Sequence, residues 1–197
     1  MNRFLIEHHP DDIAKSLCDQ HIVKMPLEEA QMMCTAVWEL EPRWAEKYNL
    51  YKPVHRKHPC TLWVMKSSGN FAFAFSLYEA MLREYTFRYG KEHGAGKHRK
   101  ALKGLRFIAP LIPTTREPVF SQKDPLSPYT GLTAHPQCFS GHDDCKTDEA
   151  WPIRAYRAFY AIDKMKFARY NKGRTMPTWM NPMPDWQERI YDEDSYS

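Results

Sequence analysis

Apolar residues recur at three- and four-residue intervals through residues 19–38, DQHIVKMPLEEAQMMCTAVW. Ile22, Val23, Leu27, Ala30, Met33, Cys34 and Val37 gather on one side of a helix. At about 100° per residue, His21, Lys24, Glu28, Gln31 and Thr35 fall together on another side. This polar ribbon carries an imidazole, an amine, a carboxylate, an amide and a hydroxyl. The same spacing also describes the solvated face of an ordinary amphipathic helix. Pro10-Asp11-Asp12 supplies turn and capping chemistry, so the helix is predicted to begin there and run to about Leu40. Pro26 removes one intrahelical hydrogen bond, which predicts a kink or a break near Lys24. Asp19 falls among the apolar positions and, if buried, requires an arginine or backbone amides. The apolar lead-in of residues 3–6 is too short to assign.

Residues 41–58 are mixed, polar and proline-punctuated, and end in a basic run that includes His58. Pro59 suits the first turn of a second helix, whose pattern continues through residues 61–89 to a stop at Gly90. Within it, Asn70 reads as a local break or a site residue. Glu84 and Arg88 are spaced to pair on its surface. A third helix is predicted from about Asp148, with Pro152 in its first turn, to about Asn171. It carries Ile153, Tyr156, Tyr160, Met165 and Phe167 among many cations. The fold class is therefore mainly α. One compact domain, residues 1–197, holds about three long helices joined by long, irregular, proline-rich connections and ends in an irregular tail, 173–197.

Composition adds a partner. The 197 residues are 14% aromatic, with six Trp and eleven Tyr, more stackable surface than a core of this size needs. The net charge of +4 is modest, but residues 91–106, KEHGAGKHRKALKGLR, are densely basic while 191–197 are acidic. Such asymmetry fits a polyanion, and glycines between the cations bring backbone amides toward phosphates. The spacing is not that of a P-loop. No apolar run approaches the roughly 18 to 20 residues that span a bilayer, and the opening residues lack a signal-peptide core. A cytoplasmic protein without a membrane partner is expected. Five cysteines, an odd number, favour reduced thiols or metal ligands over a disulfide framework. In residues 133–147, His135, Cys138, His142 and Cys145 read H-x2-C-x3-H-x2-C. That donor set suits a tetrahedral structural zinc stapling a long loop.

Arg3, the triplet Asp19-Gln20-His21 and Glu28, seven residues after His21, together resemble the pyrimidine-dimer DNA glycosylases of the phage endonuclease V type. In that family a DQH triplet and a glutamate seven positions on belong to the catalytic helix. His58 before the second helix, Tyr89-Gly90 at its end and Pro177-Thr178-Trp179 late in the chain extend the likeness. The chain is also similar to a group of uncharacterised tailed-phage proteins sharing DxHxVKMxLExAQ, HPxxxWV, EYTxRYGKxH and AYRxxY segments. The resemblance implies a helical architecture and a catalytic Glu28. The endonuclease V group attacks with the α-amine of a threonine exposed by removal of the initiator methionine. Asn2 stands there in this chain, and its bulk normally leaves Met1 in place, which turns attention to Lys24. Leu27 and Gln31 replace two arginines that flank the family's glutamate.

The expected reaction is cleavage of the N-glycosidic bond of a modified or damaged base in DNA, leaving an abasic site. Positive charge builds on the sugar, and Glu28 is the candidate stabilising carboxylate. Lys24 either pairs with Glu28 or, if desolvated, attacks C1′ as a Schiff-base amine, which would bring AP-lyase activity. His21 would protonate the leaving base or anchor a phosphate, and Asp19 joins the catalytic set. Gln31 would read a base edge. Arg3, His58, Asn70, Lys91, Lys97, Arg99 and Arg157 complete the substrate-binding candidates, on double-stranded DNA with a flipped base. A monomer is expected, and no cofactor is required for the chemistry beyond a structural zinc. Two rival readings use the same residues: a group-transfer enzyme modifying a hypermodified pyrimidine in phage DNA, and a zinc-stabilised, non-catalytic nucleic-acid-binding protein.

Overall fold

The computed structural model describes residues 2–105, 131–139 and 141–181. Residues 106–130 and 182–197, which include part of the proline-rich connection, Trp186 and the acidic end, lie outside the described residues. Within them the order is α1 (Pro10–Ser16), α2 (Asp19–Leu40), α3 (Pro42–Lys47), α4 (Pro59–Lys66) and α5 (Ser68–Tyr89). A 3₁₀ turn (Gly94–His98), α6 (Arg99–Leu105), a second 3₁₀ turn (Asp143–Cys145) and α7 (Ile153–Phe159) follow. A π turn (Tyr160–Lys164) and a last 3₁₀ turn (Thr178–Met180) complete the order. The mainly α class holds, but among the described residues only α2 and α5 are long, each of 22 residues.

The first break falls at Leu17-Cys18 rather than near Lys24, and Pro26 sits inside an unbroken α2. Later chain captures the donors at α2's start. Cys18 N–H donates to the Tyr160 hydroxyl at 3.0 Å. Asp19 N–H donates to the Arg169 carbonyl at 2.8 Å, so the orphan amides of the helix end are met. The single hydrogen bond that Pro26 forgoes is outweighed by its buried neighbours, Met25 and Ala30 among them. The second predicted helix is likewise two. Ser67 caps α5, accepting Asn70 N–H at 3.0 Å and donating to the Gly131 carbonyl at 2.5 Å. Gly90 ends α5 in the left-handed region, φ +66°, as its position predicted.

α5 packs against α1 and α2, and α4 lies against both α2 and α5. Leu5, Ile6, Ile13, Leu17, Ile22, Met33, Phe73, Leu77 and Met81 fill the space between them. Residues 3–6, outside any helix, run buried through this core. Tyr156 and Tyr160, also buried, cover them from the α7 side. α7 stops well short of the predicted Asn171. The chain beyond it turns back, and Arg169, Asn171 and Arg174 reach α2 and α5.

Those residues complete a buried network where a surface pair was expected. Arg88 holds Asp19 Oδ1 at 3.0 Å and Glu84 Oε1 at 2.7 Å. Arg174 grips both oxygens of Glu84 at 2.8 and 2.9 Å. Asn171 N–H donates to Asp19 Oδ2 at 2.7 Å. Asp19 thus obtains both the arginine and the amide that its burial demands. The basic stretch is also ordered rather than a loop, as far as residue 105. Tyr78 donates to the Ala95 carbonyl at 2.7 Å, and Trp44 Nε1 to that of Ala101 at 3.3 Å. Gly104 fits because a Cβ there would lie 2.9 Å from the Trp44 ring. Among the described residues no helix is long and apolar enough to cross a membrane.

Candidate active site at the edge of α2

α2 is rotated relative to the arrangement its periodicity suggested. Val23 and Leu27 are 46% and 37% exposed, whereas His21, Glu28, Glu29 and Thr35 are buried. The polar ribbon therefore lies at the border between the outer arc and the core. Glu28 stands on that border with a side chain 11% exposed. One oxygen, Oε2, accepts the backbone N–H of Asn2 at 3.0 Å. The other, Oε1, pairs with Lys24 Nζ at 3.1 Å, and Lys24 extends into solvent, 68% exposed. Asn2 in turn donates from Nδ2 to the Cys138 carbonyl at 2.8 Å. Three distant segments thus meet at one carboxylate: residue 2, α2 and residues 131–139.

Immediately behind lies an ion pair that the sequence reading missed. Glu29 accepts from Arg3 Nε at 3.1 Å on both oxygens and also pairs with Nη2. The guanidinium lies 4.7 Å over the Trp63 ring. Burial opposes the charge of Arg3, but Glu29 outweighs it and raises the guanidinium further. Arg3 is a core residue, and the expected DNA-backbone contact through it is corrected.

His21 also departs from its expected role. Its ring stacks on Phe4 at 4.7 Å, and Nδ1 lies 2.6 Å from the Tyr160 hydroxyl. Burial, with Lys164 and Lys24 adding to it, pushes the imidazole pKa down to about 3. At neutral pH it is uncharged, so it is neither a cationic proton donor nor a phosphate anchor. Asp19, the other candidate, is engaged by Arg88 and by the Asn171 amide at the start of α2. Asn70 is fully buried and donates to the Trp63 carbonyl at 2.7 Å and to Thr133 Oγ1 at 2.8 Å. Its oxygen accepts Thr133 N–H at 3.0 Å, so it offers a substrate nothing. Gln31 is half-buried, one turn beyond Glu28. His58 caps α4, accepting Cys60 N–H at 3.2 Å.

The cations divide into two kinds. Lys91 is exposed, and Lys97, also exposed, lies 4.5 Å over the Tyr51 ring. Arg99 is held by Glu79 at 2.6 Å and Arg157 by Glu7 at 2.7 Å. His93 Nε2 meets the Val23 carbonyl at 2.9 Å, which brings the basic segment beside the outer arc of α2.

The four residues expected to bind zinc do not converge. His135 is boxed by Trp63, Trp151 and Tyr156, and neither ring nitrogen has a hydrogen-bond partner among the described residues. Burial drives its pKa well below the ordinary range. His142 and Cys145 lie with Asp144. Cys138 turns away from them to Cys60, Sγ to Sγ 3.4 Å, with His58 alongside. The contact with Cys60 brings the Cys138 thiol below its usual pKa, and the same contact, with burial, raises Cys60 well above. Cys60 sits 78 residues from Cys138, beyond any spacing rule.

Residues 1–95 match a family model described as pyrimidine dimer DNA glycosylase. No curated protein and no solved structure matches the chain. The matched stretch contains Asn2, Arg3, Lys24, Glu28 and Glu29, and ends before Cys138 and Tyr156.

Proposed function

We propose that the protein is a DNA glycosylase that uses Glu28, a reading resting on the family matched by residues 1–95 together with the setting of that carboxylate. The observation that carries it is the position of Glu28 between two nitrogens, that of residue 2 at 3.0 Å and Lys24 Nζ at 3.1 Å. An amine attacking C1′ expels the base with the glycosidic electron pair, and the expelled base takes up a proton. The nearby carboxylate stabilises the cationic sugar while this occurs. Lys24 is too exposed to gain reactivity by desolvation. The nitrogen of residue 2 is better enclosed, but it is a backbone amide while Met1 is in place and becomes an amine only where Met1 is removed, which the bulk of Asn2 disfavours. His21 contributes by position: uncharged, it supports Phe4 and so the non-helical segment that carries Asn2. Val23, Leu27 and Lys24 on the outer arc, with Lys91 and Lys97, supply apolar and cationic surface for a duplex.

The test is abasic-site formation on duplexes carrying a pyrimidine dimer, and on DNA with modified pyrimidines. Glu28→Gln is expected to lower the rate by about 10²-fold or more, as loss of a transition-state charge contact does, with its unfolding midpoint unchanged. Full activity in this variant would remove Glu28 and the proposal with it. Borohydride trapping followed by peptide mapping assigns the amine: label on Lys24 or label on residue 2.

A further inference from the structure

We propose that His58, Cys60 and Cys138 form a site for one thiophilic divalent cation of the zinc class, independent of the glycosylase reading. One ligand-type atom from each lies within 4.8 Å of the others. They come from separate parts of the chain. His58 is the cap of α4, Cys60 stands in its first turn, and Cys138 belongs to the non-helical residues 131–139. The spacing of the sulfurs discriminates between two fates. Two thiolates on one tetrahedral zinc stand about 3.8 Å apart, given a Zn–S bond of roughly 2.3 Å. A disulfide requires about 2.05 Å. The observed 3.4 Å needs only slight opening to admit a metal but a large closure to form the bond. An imidazole beside the pair has a use in coordination and none in a disulfide. Nδ1 of His58 accepts the Cys60 backbone N–H at 3.2 Å, so the imidazole is held beside the two sulfurs and would exchange that hydrogen bond for the metal.

Binding releases the two thiol protons, and the two thiolates neutralise the dication, so a half-buried site carries no net charge. Three protein ligands leave a fourth position, which water or an added anion would take. The mechanical consequence falls on the candidate active site. The cation ties residues 131–139 to α4, and the Cys138 carbonyl holds Asn2, whose backbone N–H reaches Glu28. The group of His142, Asp144 and Cys145 is the weaker candidate, with one thiol and an exposed carboxylate.

The experiment uses the whole chain, purified reduced and without chelator, with zinc measured per chain and Co²⁺ titrated into the apo form. One equivalent and a sulfur-to-cobalt charge-transfer band are expected in the wild type and in Cys145→Ser. Cys138→Ser should lose the equivalent and the band. His58→Asn should weaken binding by at least about 10- to 100-fold, since loss of an outer-shell partner alone costs that much. Cys138 is only half-buried, so its variant is expected to fold, which circular dichroism checks. Retention of stoichiometric metal in Cys138→Ser overturns the site. So does a wild-type chain that binds no metal under these conditions, or one that loses two hydrogens as a Cys60–Cys138 disulfide. Metal content is read without DNA, so this outcome stands apart from the Glu28 assay.

Discussion

At the scale of single residues, His21 shows how burial reassigns chemistry. Its unfolded pKa near 6.5 falls to about 3 in the fold, chiefly through desolvation. Between those values the unfolded chain binds the extra proton, so stability is full above pH 6.5 and declines as the pH falls toward 3. The expected slope from this one group is about 1.4 kcal/mol per pH unit. Urea titrations at pH 4 to 7 should show the slope reduced by that amount in His21→Asn. A residual slope remains from His135, which shifts in the same direction. A slope identical to wild type would mean that His21 titrates normally. The buried pairing of Asp19 was legible at this scale from its misplacement among apolar positions. Glu29 was not. It differs from Glu28 by one letter and about 100° of helix, and what distinguishes it is Arg3, which arrives from a segment with no readable periodicity.

At the scale of elements, sequence signals worked where the cause is local. Pro59 opens α4 and Gly90 closes α5 because each acts through its own backbone. The end of α1 escaped because it is fixed at Cys18 by Tyr160, 142 residues later. Breaks that are set by tertiary hydrogen bonds leave no local trace. The same holds for Arg88, spaced like a surface residue yet shared by Asp19 and Glu84 in the interior. Arg88→Met removes the buried cation that two carboxylates share, leaving Glu84 to Arg174 and Asp19 to the Asn171 amide, and is expected to cost about 3 kcal/mol. Arg174→Met, at a position 30% exposed, should cost about 1 kcal/mol or less. Denaturant midpoints of the two variants measure the difference, and equal losses would place Arg88 at the surface in solution.

At the scale of the molecule, the basic stretch was visible in composition, but the carboxylates that occupy some of its partners were not. Arg99 and Arg157 already face Glu79 and Glu7, whereas Lys91 and Lys97 face solvent. In DNA-binding titrations, Lys91→Ala and Lys97→Ala should each reduce the slope of log K against log salt by about 1. Arg99→Gln and Arg157→Gln should reduce it by less than half as much. Four equal reductions would show that the ion pairs open on binding. The matched family stretch also divides the site: Glu28 lies within it, and the Cys138 loop that seats Asn2 lies beyond.

The contact between Asn2 and residues 131–139 has a temporal side. Phe4 and Arg3 leave the ribosome long before Tyr156, Tyr160 and Cys138 exist to enclose them. At about 5–20 residues per second, this delay is on the order of 7–30 s. Throughout it the segment has Glu29 and Trp63 beside it but lacks the cover of the later tyrosines. Its full seating is therefore a late event in biosynthesis, complete only when the last third of the chain has been made.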